Sequence, residues 1–90
     1  MLKTFSIKVA GKVQGVYYRQ STKEKAQQLG VTGTVQNLRN GDVLIMATGT
    51  DDQLVQLVNW CRQGPPRAVV TNIQVEVKDT RSFSGFTIER

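Results

Sequence analysis

GTVQNLRNGDVLIMATGTDDQ, residues 33–53, holds a strand, a turn, a second strand and a helix start in one run. Asn40-Gly41 is a hairpin signal, because both central residues of a type I′ turn need positive φ. Strands of roughly 33–39 and 42–49 flank it, and Val43, Ile45 and Ala47 share one face. Thr50-Asp51-Asp52-Gln53 then has capping-box spacing and opens a helix. Leu54, Leu57, Val58 and Cys61 form its apolar stripe. The helix runs to about Gln63, where Gly64 and Pro65-Pro66 stop it.

Upstream of this run, Phe5, Ile7 and Val9 alternate with Ser6 and Lys8, which predicts a half-buried strand over residues 3–10. A glycine-bearing loop, Gly11 to Arg19, leads into a helix that starts at Tyr18 or Ser21 and ends at Leu29. Gly30 serves as its stop, and Ser21-x-x-Glu24 has the spacing of a second capping box. The inner face of that helix would be Tyr18, Thr22, Ala26 and Leu29. Downstream, Ile73, Val75 and Val77 alternate with Gln74, Glu76 and Lys78 in a fourth strand, and Phe86 and Ile88 suggest a short last one. The order β-α-β-β-α-β with a tail strand predicts an α+β, ferredoxin-like sandwich. It has an antiparallel sheet, two helices on one face, and one domain over residues 1–90. Such a fold hosts many functions and assigns none by itself.

Composition narrows the chemistry. With 39% hydrophobic and 21% charged residues, the chain has the balance of a soluble globule. No apolar run reaches membrane-span length, and MLKTFSIKVAG alternates where a signal peptide would be continuous, so no membrane partner is expected. The lone Cys61 fits a reducing, cytoplasmic setting. Twelve Lys and Arg against seven Asp and Glu give a net charge of +5, which favours anionic partners, although the cations are scattered. There is no histidine, so a histidine-based triad or general base is excluded, and no cluster has metal-ligand spacing.

GKVQGVYYRQS, residues 11–21, joins the first strand to the first helix. Unpaired N–H groups and the positive end of the macrodipole meet at such a joint, and both favour an anion. Gly11 and Gly15 permit backbone angles that turn successive N–H groups inward. Arg19 adds a planar charged fork that matches phosphate oxygens. Taken alone, the motif reads equally as a phosphate cradle or as a glycine loop beside a surface arginine. A Walker loop is excluded, since no Gly-Lys-Ser/Thr is present.

With both stretches in hand, the sequence resembles the acylphosphatases. Their first signature, apolar-x-G-x-V-Q-G-V-x-[FM]-R, matches Val9 through Arg19 except at Tyr18. Their second, G-aromatic-x-x-N-x-x-x-G-x-V-x5-G, matches Gly33, Asn37, Gly41, Val43 and Gly49, with Thr34 at the aromatic position. The resemblance implies metal-free hydrolysis of a small-molecule acyl phosphate to a carboxylate and inorganic phosphate; no cofactor is expected, and a monomer is the default expectation. It also implies that Arg19 and the loop residues Gln14, Gly15, Val16, Tyr17 and Tyr18 hold the phosphoryl group while Asn37 positions the attacking water. Thr34 removes a ring expected near Asn37. A catalytically weak, anion-binding member of the same fold is the alternative that this departure raises.

Two rivals come from other classes. Cys61-x5-Arg67 has the spacing of cysteine-dependent phosphatases, but Cys61 falls on an apolar stripe, where burial disfavours a thiolate, and Pro65-Pro66 remove two loop donors. RNA-recognition domains share the element order, yet stack bases on aromatics of the first and third strands. Here Phe5 faces the core and 42–48 has no aromatic, so no nucleic-acid partner is expected.

Overall fold

The computed structural model describes residues 1–89, and Arg90, the last residue of the expected domain, lies outside them. The elements follow the order β1 (Lys3–Lys12), α1 (Tyr18–Leu29), β2 (Thr32–Asn37), β3 (Val43–Gly49), α2 (Asp51–Cys61), β4 (Val69–Lys78) and β5 (Phe86–Glu89). The five strands form one sheet in the order β4-β1-β3-β2-β5. Helix α1 packs over β2 and β5, α2 packs over β1 and β3, and the helices touch each other on the same face. Ile7 of β1 lies opposite Ile45 of β3 beneath them. Both are fully buried, and each burial stabilises the fold by roughly 1.5–3 kcal/mol.

The β2–β3 hairpin forms with Val43, Ile45 and Ala47 on the buried face, but its turn is not type I′. Gly41 has φ 98°, whereas Asn40 is not left-handed. Gly41 N–H donates to Leu38 O at 3.2 Å, and Leu38 N–H donates to Asp42 O at 2.8 Å. This is a β-turn followed by a left-handed glycine, the longer of the common hairpin closures. Asn40 Oδ1 accepts from Asp42 N–H at 3.0 Å, so the Asn side chain shapes the loop in place of a left-handed Asn backbone.

The helix starts divide. At α2, Thr50 Oγ1 accepts from Gln53 N–H at 3.3 Å and Gln53 Oε1 accepts from Thr50 N–H at 2.9 Å, the expected capping box. At α1, the box expected at Ser21-x-x-Glu24 does not form, because the helix begins a turn earlier, at Tyr18. Its cap is Tyr17, in a left-handed conformation with φ 69° and ψ 20°, and no side chain caps the helix there.

The C-terminal strand corrects the expectation of a wholly antiparallel sheet: β5 pairs with β2 in parallel, Gly33 opposite Phe86. The reason is the end at which the chain crosses. Lys78, at the end of β4, pairs with Thr4 at the start of β1, and Gly33, beside Phe86, lies at the start of β2. Residues 79–85 therefore cross beneath one end of the sheet, and β5 must rise in the same direction as β2. A closed set of hydrogen bonds pins this crossing. Thr4 and Thr48 hydroxyls meet at 2.6 Å, Thr48 Oγ1–H donates to Arg81 O at 2.7 Å, and Arg81 N–H donates to Thr4 Oγ1 at 2.8 Å. Both threonines are buried, so these partners offset the cost of taking their hydroxyls out of water.

Candidate active site

The opposite end of the sheet gathers the end of β1, the start of α1 and the end of β2. Strand β1 is longer than expected and takes in Gly11 and Lys12. Its pairing with β4 shifts between Ala10 and Gly11, a bulge that turns the chain off the sheet. An added Cβ at Gly11 would run into the Val69 backbone, so Gly11 serves the close approach to β4 rather than an anion. The loop proper is Val13–Tyr17.

In that loop, Gly15 has φ 73° and Tyr17, two residues on, is also left-handed. A non-glycine residue there costs of order 1–3 kcal/mol, and such strain clusters at functional sites. Among the described residues, no backbone carbonyl accepts from the N–H groups of Gln14, Gly15, Val16 or Tyr17. The first return bond of α1 runs from Ser21 N–H to Tyr17 O at 3.1 Å. The loop and the first turn of the helix thus present a string of free donors at a positive helix end.

A cavity of about 250 Å³ opens at this string, lined by Val13, Gly15, Tyr17, Tyr18, Arg19, Gln20, Asn37 and Ile88. Arg19 takes part in neither of the two ion pairs among the described residues, Lys3–Asp51 and Lys78–Glu76. Asn37, at the end of β2, completes the wall. Its Oδ1 is buried and accepts no hydrogen bond among the described residues. Leaving a buried amide oxygen without a donor costs about 1–3 kcal/mol unless a ligand or water supplies one. Among the described residues, the cavity therefore combines a run of free backbone donors, a guanidinium outside any ion pair and a carboxamide oxygen without a donor, which suits a small anion and a hydrogen-bonding partner for it.

Of the residues read from sequence, Gly15, Tyr17, Tyr18, Arg19 and Asn37 come together at this cavity. The side chains of Gln14 and Val16 do not line it. Val16 is buried in the core, and Gln14 Nε2 donates to Leu38 O at 2.8 Å and to Asp42 O at 2.9 Å. Tyr18 is only 2% exposed, with its hydroxyl donating to Cys61 O at 2.7 Å and its ring 5.7 Å from that of Trp60. These three can offer an anion only their backbone N–H groups. Val13, Gln20 and Ile88 were missed. The first two sit inside the quoted loop-helix stretch, but nothing local marks Ile88, which arrives from β5 through its pairing with Val35.

Comparison with known proteins shows the family. The family model described as Acylphosphatase matches residues 5–88. The chain belongs to the acylphosphatase family. An acylphosphatase of Pelotomaculum thermopropionicum is 51% identical over 81 residues, spanning 89% of this chain and 88% of that one. The structure of an acylphosphatase from Coxiella burnetii superposes with a TM-score of 0.95 at 39% identity, covering 98% of this chain and 93% of the other. The crystal structure of acylphosphatase from Bacillus subtilis also gives 0.95, at 32% identity and 100% of both chains.

Against the acylphosphatase signatures, both departures prove to lie outside the cavity's polar lining. The Tyr18 hydroxyl is absorbed by the Cys61 carbonyl. Thr34 alternates with Val35 along β2, so it faces the side of the sheet opposite Asn37 and does not line the cavity. No ring is missing beside Asn37. The Cys61–Arg67 rival fares poorly: Cys61 is fully buried, and burial pushes its thiol up to about 12. Among the described residues, no helix is long and apolar enough to cross a membrane.

Proposed function

We propose that this acylphosphatase-family chain hydrolyses acyl phosphates, binding the phosphoryl group on the N–H groups of residues 14–19 and the Arg19 guanidinium while Asn37 orients the attacking water. The observation that carries the reading is the convergence of Arg19 and Asn37, from two different elements, on one cavity rimmed by free backbone donors. Phosphoryl transfer asks mainly for positioning and for stabilisation of the equatorial oxygens. The loop and Arg19 supply the second. The carboxamide of Asn37 supplies the first, since it can accept from and donate to a water at once.

The balance of the reaction fits this equipment. Water oxygen forms the new bond to phosphorus as the bond from phosphorus to the acyl oxygen breaks. The electron pair leaves with a carboxylate, a group stable near neutral pH, and one water proton passes to a phosphoryl oxygen. No general acid is needed, which suits a chain without histidine. An alkyl phosphate, with its far more basic leaving group, would react poorly. The reading extends to a single 1–90 domain that acts as a monomer in the cytoplasm. Both site residues belong to one chain, and Cys61 is a free thiol.

Benzoyl phosphate hydrolysis, measured with a chelator present and with Arg19→Ala alongside, tests the reading. Turnover should persist with the chelator and fall at least about 10²–10³-fold in the variant, the usual loss for one preorganised donor. Turnover insensitive to Arg19→Ala would sink it.

A further inference from the structure

We propose that Gln14 is a positioning residue, a clamp that fixes the phosphate loop against the β2–β3 turn and so sets the place of Asn37; this rests on the reading of the site given above. Gln14 Nε2 carries two hydrogens and uses both, donating to Leu38 O at 2.8 Å and to Asp42 O at 2.9 Å. The same two carbonyls close the turn, since Leu38 O accepts from Gly41 N–H and Asp42 O accepts from Leu38 N–H. The carboxamide is thus plugged into the mouth of the turn that runs between Asn37 and its β3 partner Val43. At its other end Gln14 stands between Val13 and Gly15, both of which line the cavity. No other hydrogen bond among the described residues joins the 13–17 loop to the 37–42 segment.

The consequence is a division between holding and aiming. Arg19 is carried by α1, and the loop donors are also held by the buried Val13 and Val16 and by the strand and helix at either end, so the anion-holding groups keep these anchors without the clamp. Asn37 is the last paired residue of β2, opposite Val43, and the Gln14 amide is the hydrogen-bonded tie, among the described residues, between the loop and the turn that Asn37 leads into. Loss of the clamp should therefore misplace the water relative to the phosphoryl group while leaving the anion bound. A misplacement of about 1 Å costs on the order of 10²-fold in rate.

The test uses Gln14→Met, equal in reach but without donors, and Gln14→Glu, equal in shape but acceptor-only when ionised. For each, kcat on benzoyl phosphate and Kd for inorganic phosphate are measured, and the double variant Gln14→Met/Asn37→Ala is compared with Asn37→Ala. The expected result is a kcat about 10- to 100-fold lower, a phosphate Kd changed by less than about threefold, and a double variant no slower than Asn37→Ala alone. In Gln14→Glu, kcat relative to the unaltered protein should recover as pH falls and the carboxyl takes up a proton, above the ordinary glutamate range because two carbonyl oxygens face it, since the protonated acid regains one donor. That recovery is the deciding readout if Gln14→Met does not fold. Unchanged kcat, equal losses in kcat and phosphate affinity, losses that multiply in the double variant, or no recovery in acid would each overturn the clamp. An unaltered protein without turnover would instead overturn the reading of the site, and the clamp with it.

Discussion

Tyr18→Phe separates structure from chemistry at the start of α1. The phenol reaches from the first residue of α1 to the last of α2, where its hydroxyl donates to Cys61 O at 2.7 Å. Among the described residues no other hydrogen bond reaches that carbonyl outside regular helix and strand pairing. The ring is 2% exposed, so water does not replace the donor once it is removed. Burial, above all, raises the phenol far above its ordinary range, and it stays a donor throughout the working pH range. Phenylalanine keeps the ring and its contact with Trp60 but leaves a buried carbonyl unpaired, at a cost of about 1–2 kcal/mol after the smaller desolvation of the variant is counted. In a 90-residue domain that corresponds to a fall in Tm of roughly 4–15 °C. Thermal denaturation followed by circular dichroism reads the shift, and benzoyl phosphate hydrolysis should change less than about twofold, as for a substitution remote from the reacting atoms. A tenfold loss of kcat with Tm unchanged would refute this, since it would mean the hydroxyl acts in the cavity.

Three further outcomes follow from the same geometry. Cys61 is raised from 9.0 to about 12 by burial, so its contribution to stability is complete below the unfolded thiol's pKa and is lost as pH rises towards 12. Urea unfolding between pH 9 and 11 should show Cys61→Ala losing less stability than the unaltered protein, by up to about 1.4 kcal/mol per pH unit; identical slopes would contradict the burial argument. Iodoacetamide should leave the native protein active and unmodified, and loss of turnover prevented by phosphate would revive the cysteine mechanism. Thr34→Phe, on the far side of the sheet from Asn37, should alter kcat by less than about twofold, and a larger gain would place that ring beside the water after all.

What could be read from the sequence was what neighbours in the chain determine. The buried faces of β3 and α2 follow from periodicity, and the Thr50–Gln53 box is complete within four residues. Arg19 and Asn37 were legible because the two signatures that hold them are contiguous. The failures have causes outside the local stretch. Asn40-Gly41 adopts a different turn because the Asn40 side chain bonds Asp42, and the Gln14 amide fills its mouth. The Ser21 box is pre-empted by a left-handed Tyr17, a conformation that no propensity would assign to tyrosine. The direction of β5, and with it the arrival of Ile88 at the cavity, depends on the end at which residues 79–85 cross. That is settled by Thr4, Thr48 and Arg81, residues distant from one another in sequence.

In the proposed reaction Arg19 and the loop hold the anion while Asn37 aims water at it. Titration calorimetry with inorganic phosphate, set beside benzoyl phosphate turnover for Asn37→Ala, measures the two parts separately. In Asn37→Ala, turnover should be lower by at least about 10²-fold with phosphate Kd within about threefold of the unaltered protein. Parallel losses of binding and turnover would contradict it.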